Sequence, residues 1–351
     1  MANVQKQFDE FNDTIKLGRF DENQTLREKR DIIRDKLRER LPAVFKKYKE
    51  SCPAYSFRDQ GSYEMGAGTK PLDGDFDIDQ GLYFMVPSSS YPDPVTLKKR
   101  VHEALDGHTK DVRIRRPCVT VFYQRSGESV YHVDLAIYSD GKANTDAKGR
   151  IAMGREGSTA AYRVWDVSNP QALTDTIFAR FTGIDRDQFR RVVRALKRWK
   201  HENFPADGHA APLGIALTVA TYHDLQPTYT DRVAGTADDL GALRTLVTAI
   251  LARFRPVWSD DEQKVTRRLT VALPVEPWSD LCGRMTAKQM EQLEGKLQIL
   301  RDALDNAAKE VDPVEACKTL RKVFGADFPI PDKGDTAKKH APAIVSSSNS
   351  A

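Results

Sequence analysis

From its first residues the chain spaces apolar side chains by threes and fours. Val4, Phe8, Phe11 and Ile15 share one helical face, Gly18 interrupts it, and the capping-box pattern Thr25-Leu26-Arg27-Glu28 predicts a restart. Ile33, Leu37, Leu41, Val44 and Tyr48 then follow a single stripe, which predicts a long amphipathic helix kinked at Pro42. From about residue 54 to 165 the period shortens to two. "AYSFRDQ", "DFDIDQGLYFMV", "CVTVFYQ" and "VYHVDLAIY" read as strands, the last two joined by a hairpin turn in "RSGES". After about 172 the helical period returns. Asp185 and Gln188 predict a cap for a helix over "DRDQFRRVVRALKRWK", with Phe189, Val193 and Leu196 on its inner face. Thr286 and Gln289 open another, carrying Met290, Leu293, Leu297, Leu300 and Leu304.

The expected fold class is therefore α+β: a mixed sheet with a long N-terminal helix, followed by a C-terminal helical lobe. The expected division is 1–170 for the sheet core with its N-terminal helices and 171–330 for the helical lobe. Residues 331–351, small and polar, read as a disordered tail.

Composition narrows the setting without naming a chemistry. The 351 residues are 40% apolar and 30% charged, as in an ordinary soluble globule. No run of about 18 apolar residues exists, and the start is too polar for a signal peptide, so the expected location is the cytoplasm, with no membrane partner. Cys52, Cys118, Cys282 and Cys317 lack ligand spacing and read as reduced, mostly buried thiols. The formal charge of +4 is too mild to predict a polynucleotide partner. Its local clusters, Lys98-Lys99-Arg100 and "KDVRIRR" at 110–116, read either as a solvated basic edge or as a phosphate or DNA contact; alternation puts Arg113 and Arg115 on one face.

The candidate chemistry sits in "QGSYEMGAGTKPLDGDFDIDQGLYF", residues 60–84. In a strand Asp75, Asp77 and Asp79 point one way while Phe76 and Ile78 anchor the other face. Carboxylates spaced by about 7 Å raise each other's pKa unless a cation intervenes, and a hard divalent ion is the natural choice. In "VYHVDLAIY" the apolar face is Tyr131, Val133, Leu135 and Ile137, leaving Asp134 opposite with His132. His132 reads as a packing or hydrogen-bonding residue. Three carboxylates from two neighbouring strands can hold two Mg²⁺ ions about 4 Å apart, with Mn²⁺ as a substitute, one activating a hydroxyl and one gripping a triphosphate. Gly61 and Ser62 fit the same chemistry, since glycine admits a phosphate to the backbone and the hydroxyl and following amides can donate to it.

These segments, "GSYEMGAGT", "DIDQGLYF", "HVDLAIY" and "RALKRWK", resemble the nucleotidyltransferases of the polymerase-beta type. Within that superfamily the chain looks like the CD-NTases, bacterial relatives of cyclic GMP-AMP synthase and oligoadenylate synthase, over roughly residues 20–325. The resemblance implies catalytic and metal-binding roles for Asp77, Asp79 and Asp134, and nucleotide binding by Gln60, Gly61, Ser62 and Lys197. A register shifted to Asp75 and Asp77 is the alternative pair, and Lys200 the alternative to Lys197. Where family members often carry a serine after this lysine, the chain has Pro212 and Leu213, with no hydroxyl until Thr218.

The implied activity is condensation of ATP, with or without another NTP, into a cyclic di- or trinucleotide for antiviral (CBASS-type) signalling. The implied partners are a HORMA-type activator, a ubiquitin-like ligase acting on the C-terminus, and DNA through residues 98–116. A template-independent RNA-tailing or linear polymerase would share all three aspartates. A non-catalytic nucleotide-binding scaffold would be expected to have lost one.

Overall fold

In a computed structural model of the chain, residues 2–17, 21–72, 76–125, 128–205, 211–260 and 262–332 are described. Asp75 and residues 333–351, and with them the alternative carboxylate pair and most of the expected tail, lie outside these residues. The chain runs α1 (Gln5–Ile15), α2 (Asp21–Lys47), β1 (Tyr55–Asp59), α3 (Gly61–Glu64), β2 (Phe76–Phe84), α4 (Val95–Leu105), β3 (Asp111–Ile114), β4 (Val119–Arg125) and β5 (Glu128–Ser139). After β6 (Arg150–Ala152) and β7 (Trp165–Val167) come α5 (Pro170–Arg180), α6 (Gly183–Asn203) and α7 (Gly214–Asp224). The short pair β8 (Tyr229–Asp231) and β9 (Thr236–Ala237) precedes α8 (Asp239–Ala252), and the ribbon β10 (Arg255–Ser259) and β11 (Lys264–Arg268) precedes α9 (Ala287–Lys309) and α10 (Pro313–Phe324).

The sheet orders its strands β1-β2-β5-β4-β3, with β6 on the end of β5 and β7 beyond it. It is mixed because β2 and β5 are parallel while β1–β2, β5–β4 and β4–β3 are antiparallel. Period-two alternation decides which face is covered. Ile78, Leu82, Phe84, Val119, Val121, Val133, Leu135 and Ile137 pack against α2 and α4, and the residues between them form the opposite face. The expected hairpin joins β4 to β5, with Arg125 paired to Glu128.

Helix α2 buries Leu26, Ile33, Leu37, Leu41 and Phe45 completely, each contributing about 1.5–3 kcal/mol of transfer free energy. The stripe is correct at its centre and shifted at its ends: Phe45, not Val44 or Tyr48, closes it, and Tyr48 lies outside the helix. Nor does Thr25 cap the helix, which begins at Asp21 and places Thr25 in its interior. Helix α6 likewise starts at Gly183, before the expected cap. Gln188 instead reaches Thr228 O and Asp239, and Asp185 accepts from the Tyr229 hydroxyl, so both side chains bind tertiary partners. At α9 the Thr286–Gln289 capping box forms in both directions.

A second core joins α5 to α10, and α1 belongs to it: Phe8 and Phe11 lie against Phe324 and Phe328, with ring centroids 5.1–6.2 Å apart. The stripe of α1 therefore serves the helical region, although it precedes the sheet in sequence. Met65 and Ala67, which follow α3, insert into the same core.

The basic clusters are only partly at the surface. Lys98 is 0% exposed, its ammonium donating to the carbonyls of Arg115, Arg116 and Gly154. Arg100 is buried against Glu50 and lies 3.4 Å from the centroid of Tyr48. Arg113 and Arg115 do share a face, at 5.0 and 5.1 Å from the Phe122 ring. No cysteine pairs; Cys118, Cys282 and Cys317 are buried and Cys52 half-buried. Among the described residues no helix is long and apolar enough to cross a membrane.

Candidate active site

The sheet face turned away from α2 and α4 carries the candidate carboxylates because of the β2–β5 register. Parallel pairing sets Asp77 opposite His132 and Asp79 opposite Asp134. On the far side of β5, antiparallel β4 sets Thr120 opposite Asp134 and Phe122 opposite His132. Alternation thus lines up Asp79, Asp134 and Thr120 across three strands, with Asp77, His132 and Phe122 one step along.

The turn between β1 and α3 reaches over this row. Gly61 has φ +77°, and a Cβ there would lie 2.0 Å from Asp79 Oδ2. A side chain at 61 would therefore be strained in the backbone and would also displace the carboxylate. Gln60 is held beside it: its Oε1 accepts from the Tyr138 hydroxyl at 3.3 Å, above Gly81, where a Cβ would meet the Gln60 side chain at 2.9 Å. This supplies Gln60 with a supporting role that its sequence position did not announce.

From the helical side α6 supplies cations. Arg194, Lys197 and Arg198 donate to the carbonyls of Gly66, Ala67 and Lys70 at 2.5, 3.0 and 3.0 Å. The stretch following α3 is thereby fixed to α6, while the backbone of Lys70 and Leu17 ties it to the end of α1. Lys197 is 8% exposed.

Between the sheet face and the helices lies a cleft of about 860 Å³. Gln60, Gly61, Ser62, Asp77, Asp79 and Lys197 are on its wall, as are Lys200, His132 and His201. Asp134 is not on that wall; its Oδ1 accepts from Thr120 Oγ1 at 2.6 Å. The remaining lining is largely apolar and includes Phe76, Leu173, Phe204, Leu213 and Ile215. Thr218 reaches the cleft, but its hydroxyl donates back to Gly214 O.

The electrostatics are those of crowded like charges. Burial first, then the charges of Asp77 and Asp134, push the Asp79 carboxyl well above the usual carboxylate range, and Lys197 offsets only part of this. Burial likewise lowers the Lys197 ammonium to about 8, against the pull of Asp77 and Asp79 and with help from Lys200 and Arg194. Lys200 is lowered by burial. The donor set of Asp77, Asp79 and Asp134 is all oxygen and anionic, and Asp79 gains most from a nearby cation, which fits a hard divalent ion. Among the described residues no three such side chains stand ready as a metal-ligand group.

Sequence reasoning missed Thr120 and the 65–70 stretch. A threonine on the polar side of "CVTVFYQ" was a usable signal for the first. The second engages α6 through backbone carbonyls, which carry no residue signature.

Residues 55–138, from the start of β1 to the penultimate residue of β5, match the family model described as "Cyclic GMP-AMP synthase DncV-like, nucleotidyltransferase domain". Among solved structures, the chain is similar to Vibrio cholerae DncV cyclic AMP-GMP synthase, at 19% identity and TM-score 0.65, covering 94% of this chain and 98% of that one. The same protein in complex with nonhydrolyzable GTP gives 19% identity and TM-score 0.69, with 94% and 97% covered. E. coli MS115-1 CdnC with ATP gives 19% identity and TM-score 0.63, with 93% and 98% covered. The shared architecture thus extends over both the sheet and the helices. Residues 55–138 are thus similar to a DncV-like nucleotidyltransferase domain, set within a fold that the chain shares with these structures over nearly its whole length.

Proposed function

We propose that the chain condenses ATP, alone or with a second nucleoside triphosphate, into a cyclic di- or trinucleotide. The observation that carries this reading is one cleft whose wall joins Asp77 and Asp79 to Lys197 and the Gly61 turn. Its volume of about 860 Å³ lies toward the upper end of small-molecule sites, roughly 300–1,000 Å³, which suits two nucleotides better than one. A solved complex of V. cholerae DncV with the linear intermediate 5′ pppA(3′,5′)pG adds support from a protein of the same fold.

In this reading Asp77, Asp79 and Asp134 would hold two divalent cations, Mg²⁺ or Mn²⁺, which when bound supply charge neutralisation and a lower pKa for the attacking ribose hydroxyl. Lys197 leaves Ala67 O to meet the triphosphate, with Lys200 beside it. Ser62 and the amides around Gly61 donate to the same phosphates. The apolar wall at Phe204 and Leu213 excludes water from the base. Positioning and electrostatic stabilisation then account for most of the rate. The enzyme acts in the cytoplasm, and a cyclic product fits an antiviral signalling role. A DNA contact through residues 98–116 is not part of the reading, because Lys98 and Arg100 are spent inside the fold.

The test is incubation with four labelled ribonucleoside triphosphates and Mg²⁺ or Mn²⁺, then phosphatase, with Asp77→Ala as control. A phosphatase-resistant product missing from the variant supports cyclisation, and its mass names the bases. A ladder of linear products that needs an RNA primer would replace this reading with that of a tailing transferase.

A further inference from the structure

We infer that Thr120 is a positioning residue for Asp134, the last member of a hydrogen-bonded line Cys118–Thr120–Asp134 that sets this carboxylate for cation binding. The inference rests on Asp134 being a metal ligand, as proposed above.

Thr120 sits directly across from Asp134 in the β4–β5 register and is 0% exposed. A buried hydroxyl requires a partner, and this one gives its proton to Asp134 Oδ1 at 2.6 Å, in the short range of charge-assisted bonds. Because a threonine has one hydroxyl proton and Asp134 takes it, the thiol of Cys118, 3.4 Å from Thr120 Oγ1, is left as the donor of the cluster, with the Thr120 oxygen and the Asp134 carboxylate both within its reach. Cys118 lies two positions earlier on the same face of the sheet and is buried. The line therefore runs one way and ends on the carboxylate. One oxygen of Asp134 is fixed and the plane of the group is constrained, while Oδ2 receives nothing from Thr120.

The geometry matters because Asp134 stands in the middle of a strand with apolar neighbours and is off the cleft wall. A carboxylate free to rotate would have to be ordered at each cation-binding event. One ordered in advance would not, which is how partners behind ligating groups raise metal affinity. Threonine suits the place on both counts, being β-branched for the strand and carrying a single donor for the acid.

The experiment uses the full chain with Thr120→Val, Thr120→Ser and Asp134→Asn. Mn²⁺ binding without nucleotide is followed by the loss of the free-ion paramagnetic resonance signal, alongside melting temperature, half-saturating metal for condensation, and KM for ATP. Thr120→Val is expected to weaken Mn²⁺ binding by about 10- to 100-fold and to raise half-saturating metal in step, with KM for ATP at saturating metal unchanged. Thr120→Ser restores the parent values. If the valine chain does not fold, Thr120→Ala carries the same test.

Valine and serine variants that bind Mn²⁺ like the parent, and lose activity only as melting temperature falls, would make Thr120 a packing residue. Loss of Mn²⁺ binding in Asp134→Asn with none in Thr120→Val would overturn positioning alone. Parent-like Mn²⁺ binding in Asp134→Asn would overturn the reading of Asp134, and the inference with it.

Discussion

Two buried lysines in this protein look alike and sit in different surroundings. Lys98, on α4, and Lys197, on α6, are 0% and 8% exposed, and burial lowers each ammonium to about 8. Both donate to backbone carbonyls. Lys98 has three, from Arg115, Arg116 and Gly154, which close around it. Among the described residues Lys197 has Ala67 O alone, and it lies on the cleft wall near Asp77 and Asp79. A displaced pKa therefore does not identify a functional lysine, because structural cages perturb it equally. Partners and access separate the two: a closed set of neutral acceptors fastens a fold, whereas one exchangeable acceptor near the carboxylates of a cleft wall leaves a charge that can be transferred to a ligand.

The largest effect should come from removing the acid most crowded by like charge beside this second lysine. Asp79→Asn is expected to lower condensation by about 10³-fold or more, as loss of preorganised electrostatics does, while the melting temperature holds or rises because a crowded buried charge is gone. A matching fall in both would erase the contrast.

Lys98→Met should come next and act on stability alone. Three carbonyls lose this donor, although Arg116 O keeps the Gly154 amide, at about 1–3 kcal/mol for each buried group left unsatisfied before relaxation. A net loss of about 2–5 kcal/mol in denaturant unfolding is expected, with KM for ATP unchanged in the folded fraction. Lys197→Met inverts this pattern, with kcat/KM down about 10²-fold and unfolding free energy within about 1 kcal/mol of the parent, since the loss of one ammonium–carbonyl bond is offset by no longer burying the charge.

The smallest effect lies in the pH dependence. In the folded chain each ammonium loses its proton above about pH 8, and in the unfolded chain only near 10.5. Between these values the unfolded chain binds more protons, so each lysine makes stability rise with pH. Removing either lysine should flatten the slope by one proton. Saturating ATP should abolish the Lys197 contribution, by keeping it charged, and leave that of Lys98. Equal responses to ATP would dissolve the distinction.

The sequence made some of this legible and hid the rest for definable reasons. Alternation placed Asp77 and Asp79 on one face and Asp134 on the polar side of a second strand, and the strands do lie side by side. Which residues meet, Asp79 with Asp134 and Asp77 with His132, is a matter of register, which no local pattern states. The run Lys98-Lys99-Arg100 looked like surface because cations usually are; its cage is built of carbonyls, which every residue possesses. The Asp185–Gln188 cap failed because those side chains found tertiary partners, whereas Thr286 and Gln289 formed theirs. The apolar stripe of α1 was visible, but its destination was not, since packing against Phe324 and Phe328 joins opposite ends of the chain.

The pairing of β2 with β5 also has a consequence in time. Asp79 and Asp134 are adjacent in the sheet but 55 positions apart in the chain, and α4, β3 and β4 lie between them. Closing so long a loop costs entropy before any contact repays it, which makes such pairings late and slow steps. A nascent chain that has released only residues up to 125 can form α2, β1 and β2, yet Asp134 has not emerged. The acids can therefore come together only after the intervening helix and strands have been synthesised, so a fragment ending before β5 would hold a sheet edge and no site.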